Sequence, residues 1–574
     1  MVAPGIVYLY RILPVAFLPS AATYLQGNDT ASGWLPRPIF AAVLAQPFFF
    51  VLRILLDAMR RGAISVPQVP NRWPAGLDNV SKLGKMLESG YPADAFPSWF
   101  NEHGDTIMLN LLFENRAILA TDFDNYWKGP VDTDRGTTLL GTGVFNTDGE
   151  TTPLFHRSMT RPFFSRDRVS DFDIFDKHAH DAIGQAAGRL SAGHPVDIQD
   201  VASRFTLDSA TEFLFGKSAD SLSAGLAYPD SSAHLNPPSF WDHPSNVFVH
   251  AFMEGQRLQV DRGRFGSKWR LLEFWTDRIQ PHRKIIDQFI DPIVDDALAK
   301  KVEGSTVNSE PKVETLLSHL LLGTDDRQII RDEILNILVA GRDTTSATIT
   351  FAVYMLAEHP EMATRLRNEI LEKIGPSRRP THEDMKTMPY LRAFINGPSS
   401  KKATTWPTPS GRPLYIPAAT RIVYAVFLMH RRTDLWGPDA LEFDPDRFMD
   451  ERLHKYLTPN PYIFLPFNAG KFSLSTRSHL SSNAAFTTCA RICLGQQFAY
   501  QESSFFLVRL LQRFSSFNLA PDAQPEDTKP PTSWKLSPLK VKEKITFVSN
   551  LTMFAKGGLW VRMEEAPKLM QSVL

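Results

Sequence analysis

Cysteine is almost missing from this sequence: Cys489 and Cys493 are the only two in 574 residues. So few thiols exclude a disulfide-built scaffold and fit a reducing compartment. Net charge is missing as well, since 62 Lys and Arg residues balance 62 Asp and Glu residues. Without a basic excess to neutralise phosphates, nucleic acid is excluded as the main partner. Internal repeats and long low-complexity tracts are absent beyond about residue 76, so the chain is not a repeat array. A structural zinc site is disfavoured too. The spacing of Cys489 and Cys493 suits one helix face, but such a site takes about four ligands and no histidine adjoins the pair.

What the chain does have is apolar character. Hydrophobic residues make up 43% of it and phenylalanine alone contributes 40, which is too apolar for a disordered chain. The phenylalanines suit a greasy interior or pocket, although on their own a plain aromatic core is the better account of them. Residues 38–56 are nearly all apolar, with Gln46 and Arg53 the polar intrusions; at 19 residues the run just spans a bilayer. Arg60 and Arg61 follow it, which places that end in the cytosol. Residues 5–18, broken by Arg11 and Pro14, read as a weaker second membrane segment. The expectation is an N-terminal membrane anchor over residues 1–62, with a buried hairpin as the alternative. Residues 63–75, punctuated by Pro67, Pro70 and Pro74, read as a stiff linker, and residues 76–574 as one large unit.

Helical periodicity dominates that unit. Residues 178–190, 205–215, 281–298, 327–358 and 361–374 carry apolar side chains at three- and four-residue spacing. Pro292 predicts a kink or split in the third of these. Strand-like runs are short: residues 117–119, 421–426, and a hairpin pairing 551–554 with 559–561 across Gly557-Gly558. The fold class expected is mainly α with small β-sheets.

Two motifs carry chemistry. In the long helix stands Ala340-Gly341-Arg342-Asp343-Thr344-Thr345. A glycine and two threonines in mid-helix contradict helix propensity, which marks a site. Thr344 can bond back to the Ala340 carbonyl and open a small polar pocket. Gly341 lets a flat ligand or dioxygen approach the backbone, and Asp343 beside a hydroxyl makes an acid–alcohol pair able to relay protons. The plainer reading is a back-bonded threonine pair beside a solvated aspartate. The second motif is Arg491-Ile492-Cys493-Leu494-Gly495, directly before an apolar helix over residues 497–512. Unpaired amides and the positive end of a helix dipole favour a thiolate, the form that ligates a metal. The plainer reading of a lone Cys493 is a small buried hydrophobe.

Together these residues resemble a known family. Phe464 to Gly470, joined to Arg491-Ile492-Cys493-Leu494-Gly495, resembles the haem-binding loop of the cytochromes P-450. The mid-helix hexapeptide is similar to that family's oxygen-activating Ala-Gly-x-Asp-Thr-Thr, and Phe443-Asp444-Pro445-Asp446-Arg447-Phe448 to its Pro-x-Arg-Phe meander. The likeness runs from about residue 67 to the C-terminus. Residues 250–254 and 271–275 are similar to segments of fungal microsomal enzymes that hydroxylate fatty acids and alkanes. The resemblance implies a haem-dependent monooxygenase in which Cys493 is the metal ligand of a haem b. Arg491, Arg157, His156, Phe467, Gly341 and Gly495 would contact the cofactor, and Asp343 with Thr344 would deliver protons to bound dioxygen. It further implies electrons from NADPH through a membrane-bound NADPH-cytochrome P-450 reductase, a lipophilic substrate, and residence in the endoplasmic reticulum membrane with the catalytic domain in the cytosol.

Three departures stand against that pattern. Residues 471–490 interrupt the haem loop where the family has one residue, and a splice-donor sequence is possible at Gly470-Lys471, so the block reads as a retained intron. An inserted block there is expected to displace Phe467 and Gly470. The family's Glu-x-x-Arg should follow Asn396, but Gly397-Pro398 stands there instead, which reads as a skipped exon near 396–397. Glu254-x-x-Arg257 has the spacing but precedes the oxygen helix, so it is taken as chance. Arg447 is then expected to lose its buried partners, at a cost on the order of 3–5 kcal/mol. Pro153 occupies the tryptophan position of the family's Trp-x-x-x-Arg, leaving His156 and Arg157 as its remnant. The alternative is a catalytically inactive or haem-deficient product of a defective gene model. A tethered scaffold unrelated to haem would need three ordered motifs to coincide. His359, His382 and His430 read as surface or helix-end residues.

Overall fold

The computed structural model describes most of residues 62–567 and a few positions before them. Outside the description lie, chiefly, 110–129, 148–155, 165–171, 266–268, 305–314, 396–413, 416–425 and 468–492. The segments expected to enter a membrane, 5–18 and 38–56, and the strand at 117–119 fall almost wholly outside it. Among the described residues no helix is long and apolar enough to cross a membrane.

The main helices are α1 (Leu77–Glu88), α2 (Phe96–His103), α3 (Pro130–Leu140), α4 (Asp173–Ser191), α5 (Ile198–Phe215), α6 (Pro244–Phe265), α7 (Gln280–Gly304), α8 (Leu316–Gly323), α9 (Arg327–Glu358), α10 (Pro360–Lys373), α11 (Pro389–Ile395) and α12 (Gln496–Arg513). The strands are β1 (Ile64–Ser65), β2 (Gln68–Val69), β3 (Met108–Leu109), β4 (Val196–Asp197), β5 (Leu414–Tyr415), β6 (Phe514–Leu519), β7 (Phe547–Ser549), β8 (Met553–Ala555) and β9 (Trp560–Glu565). They form small sheets: parallel pairs β1–β5 and β2–β3, the antiparallel pair β7–β8, and an antiparallel trio β4–β9–β6.

Helix α9 is the axis of the molecule. Asp326 caps its first turn by accepting from Gln328 N and Ile329 N, and Pro360 starts the next helix where α9 stops. At 32 residues it is about 48 Å long and threads two separate cores. Ile330, Ile334, Leu335 and Leu338 pack with α3, α6, α7 and α8. Ile349, Val353 and Leu356 pack with α4, α10, α12 and the sheets. Burying each such side chain contributes about 1.5–3 kcal/mol. Between the cores lies the polar stretch from Gly341 to Thr348, which neither apolar cluster claims.

The split offered as one outcome at Pro292 and the pairing expected of the C-terminal hairpin both fail for local reasons. Pro292 neither splits nor ends α7. It sits on the exposed side of the helix, where water can satisfy the stranded carbonyl, while Ile290 and Val294 on the inner side are fully buried. The C-terminal hairpin also pairs differently. β8 pairs back with β7, and β9 joins β4 and β6 in another sheet. Asp197 redirects the chain, because its carboxylate accepts from Leu559 N at 2.8 Å and a side chain at Gly558 (φ +86°) would collide with it. Of the run at 421–426, only Val426 is described, and it begins a short helix.

Candidate active site

The polar middle of α9 is built from hydroxyls that bond back along the helix. Thr344 Oγ1 donates to Ala340 O at 2.7 Å, and Thr348 Oγ1 to Thr344 O at 2.9 Å. Thr344 is exposed, although its neighbours Asp343 and Thr345 are buried. An exposed hydroxyl in mid-core means that this point of the helix borders open space. Asp343 is not solvated, contrary to the plainer reading of the motif. Gln256 Nε2 from α6 donates to its Oδ2 at 2.7 Å, and Arg342 Nη1 to its Oδ1 at 2.6 Å. Packing of α9 on α5 does not require Gly341, since a Cβ there would make an ordinary 3.7 Å contact with Ala210.

Cys493 is exposed three residues before the first residue of α12. Gly495 caps that helix, and a Cβ added at Gly495 would meet nothing within 4 Å. The Cys493 amide donates to Phe467 O at 3.0 Å, and the Phe467 ring lies 4.8 Å from that of Tyr500 on α12. The expected displacement of Phe467 is therefore wrong. The residues flanking 468–492 meet at one hydrogen bond, so the number of residues between them does not separate Phe467 from Cys493. Gly470 and Arg491 lie outside the described residues.

Glu502 lies buried in the helix that follows the cysteine, and sequence reasoning passed over it. It is fully buried on α12, with Ser209 of α5 and Thr345 of α9 at its carboxyl. Burial pushes its pKa up to about 8, with the Ser209 and Thr345 hydroxyls opposing the rise. The available signal was its place in an otherwise buried helix face from Phe498 to Leu511. Its hydrogen bond to Ser209 fastens the helix that follows the cysteine to α5.

The remaining expected residues are placed as follows. His156 is buried with its Nδ1 against the Glu333 carboxylate of α9. Burial pushes Glu333 above the usual carboxylate range, and His156 opposes this. Arg157 lies outside the described residues. Arg447 is not left unpaired. Its Nη2 donates to Asp439 Oδ2 at 3.2 Å and to Asp439 O at 2.9 Å, so the penalty expected for an orphaned arginine does not arise. Glu254 and Arg257 form a surface pair at 2.6 Å within one turn of α6, as their position before the oxygen helix implied. His430 is buried beside Trp436 and Phe464 and is no surface residue. It lines a cavity with Ala393, Trp436, Phe443, Arg447 and Phe448 where α11 ends.

The donor set fits a haem. An exposed thiol at the start of α12 and an exposed hydroxyl facing open space on α9 are available to it.

Comparison with known proteins agrees with this geometry. The family described as "Cytochrome P450" matches residues 93–547. The chain is similar to cytochrome P450 52-M1 of Starmerella bombicola, 32% identical over 71% of this chain and 74% of that protein. It is similar to cytochrome P450 monooxygenase pvhE of Talaromyces variabilis, 33% identical over 70% and 72%. It is likewise similar to cytochrome P450 52E1 of Candida apicola, 32% identical over 73% and 78%.

Proposed function

Because the chain belongs to the cytochrome P450 family, we propose that it is a haem-thiolate monooxygenase inserting one oxygen atom into a lipophilic substrate such as a fatty acid or alkane. The observation that carries this reading is the closed base at Cys493. The cysteine stays at the start of α12, its amide held by Phe467 O. The substrate class rests on the likeness of residues 250–254 and 271–275 to fungal fatty-acid and alkane hydroxylases.

Cys493 would hold haem b through its thiolate, with Phe467 and Gly495 flanking it and Arg491 and Arg157 placed to pair with carboxylates of the cofactor. When bound, that group supplies dioxygen binding and reduction, with electrons from NADPH through a flavoprotein reductase. The chain's own part is proton handling. The Thr344 hydroxyl, bonded back to Ala340 O, has an oxygen still able to accept and a proton to pass on. Asp343, tied to Gln256 and Arg342, is the acid one residue away, and movement of α6 alters its hydrogen bonding.

We place the protein at the endoplasmic reticulum membrane through residues 1–62, with the catalytic unit in the cytosol; the apolar run 38–56 and Arg60-Arg61 support this. Residues 471–490 are read as dispensable to the haem loop, since its base closes without them. The cavity at the end of α11 is read as the place of the missing Glu-x-x-Arg segment. Sequencing the transcript tests both readings, and the chain's uniform presence as written sinks them. The function itself is tested by supplying the full chain in microsomes with reductase, NADPH and laurate. Hydroxylated laurate is expected. A chain that binds haem through Cys493 yet oxidises neither laurate nor a linear alkane refutes the substrate class.

A further inference from the structure

The cavity where α11 ends is bordered by hydrogen-bond donors that lack acceptors. Ala393 of α11, Trp436, Phe443, Arg447 and Phe448 wall about 370 Å³ of space, counting the part open to solvent. Ligand sites run from about 300 to 1,000 Å³, so the occupant suited to this one is small. Trp436 ends the short helix Thr433–Trp436 and is 4% exposed. Its Nε1–H is buried with no acceptor among the described residues, whereas a buried indole N–H ordinarily finds one. The Arg447 guanidinium commits two of its nitrogens. Nε donates to Asp444 O at 3.2 Å, and Nη2 donates to Asp439 and to Glu442 O. Among the described residues no acceptor engages Nη1.

The two carboxylates that border the cavity are committed elsewhere. Asp444 Oδ2 is held by Arg452 Nη2 at 2.6 Å, and Asp444 Oδ1 accepts from Asp446 N at 3.0 Å. Glu442 Oε1 pairs with Lys542. Asp439, the carboxylate partner of Arg447, is shared with Arg452 Nη1 at 2.5 Å. Residues 396–413, which follow α11, contain no Asp or Glu. A molecule that satisfies both donors therefore brings its own acceptor oxygens. A carboxylate offers two, each able to take an N–H, and the faces of Trp436, Phe443 and Phe448 suit a short carbon body. The Phe464 ring packs 4.9 Å from Phe448 and 6.1 Å from Trp436. It stands three residues before Phe467, whose carbonyl holds the Cys493 amide. The cavity thus backs onto the base of the loop that carries the cysteine.

We propose that the cavity at the end of α11 is a binding site for a small monocarboxylate, which accepts from Arg447 Nη1 and Trp436 Nε1 and stiffens the base of the Cys493 loop. The site does not depend on the monooxygenase reading, because none of its walls is a haem contact. Equilibrium dialysis of the full-length chain against carboxyl-labelled propionate tests it, with sodium chloride as the ionic-strength control. About one equivalent is expected to bind. Trp436→Phe keeps a ring and removes the N–H; affinity should fall about tenfold, the scale of one hydrogen bond to a charged group. Ala393→Leu fills the cavity from α11 and should abolish binding. Propionate at about ten times its Kd should slow hydrogen exchange at the Phe448 and Phe464 amides about tenfold in the unmodified chain. No binding by that chain, no slowing of its exchange, or equal affinity in both folded variants would overturn the proposal. Circular dichroism shows which variants fold; if Ala393→Leu does not, Trp436→Phe decides, and if neither does, the exchange of the unmodified chain decides. A chain that binds propionate but no haem sinks the monooxygenase reading and leaves this site standing.

Discussion

Replacing Glu502 by glutamine should make this protein more stable, and more so the higher the pH. Glu502 is fully buried between α5, α9 and α12. Ser209 Oγ lies against its carboxyl and 2.7 Å from Phe205 O, yet a serine has one hydrogen to give. A neutral Glu502 resolves this by donating to Ser209, which then donates to Phe205 O. Burial accordingly raises the carboxyl from 4.5 to about 8 in the folded chain. Below about pH 4.5 both folded and unfolded chains keep the proton, and the group's stabilising protonation is fully present. Between there and about pH 8 only the unfolded chain releases it, so stability falls by about 1.4 kcal/mol per pH unit. The accumulated loss is about 3 kcal/mol at pH 7 and about 5 kcal/mol above pH 8, as orders of magnitude. Glutamine has a similar shape, offers an N–H to Ser209 and does not titrate. Urea unfolding of both proteins from about pH 5 to about pH 9 measures the difference directly. Glu502→Gln should gain on the parent across that range and level off above about pH 8. Parallel stability curves would refute the reasoning, because they would mean that Glu502 ionises as readily in the fold as outside it.

Thr344→Ala should leave NADPH consumption running while product per NADPH falls; unchanged coupling would count against Thr344 as a proton-handling group. Arg262→Leu strands Glu273 and Asp277, which the buried guanidinium now holds at 2.6 and 2.5 Å. The loss should be about 3–5 kcal/mol in denaturant unfolding, and one under about 1 kcal/mol would contradict it. Excising residues 471–490 should preserve or raise haem content per chain, since the Cys493–Phe467 base stays closed; loss of haem would show that the block supports the site.

Much of the architecture was readable because it follows from periodicity and punctuation. The limits of α9 coincide with those expected, set by the Asp326 cap and the break at Pro360. What could not be read depends on partners distant in the chain. Pro292 looked disruptive because sequence alone does not say which side of a helix faces water. The hairpin across Gly557-Gly558 was a sound local signal overruled by Asp197, some 360 residues earlier. Asp343, Thr344 and Cys493 stood out as candidates because their residue types are unusual where they stand. Glu502 was missed for the opposite reason, since one carboxylate on a helix ordinarily marks a solvated face. Arg447 shows that a lost motif need not leave an orphan: Asp439, eight residues before it, takes up the charge.

The central claim is that Cys493 ligates haem in the chain as it stands, twenty extra residues notwithstanding. The most direct test is the spectrum of the reduced, carbon-monoxide-bound full-length protein beside that of Cys493→Ser. The red-shifted Soret band of thiolate ligation in the parent, and its loss in the variant, is the result expected. No haem in the parent, or a band without that shift, would contradict the account.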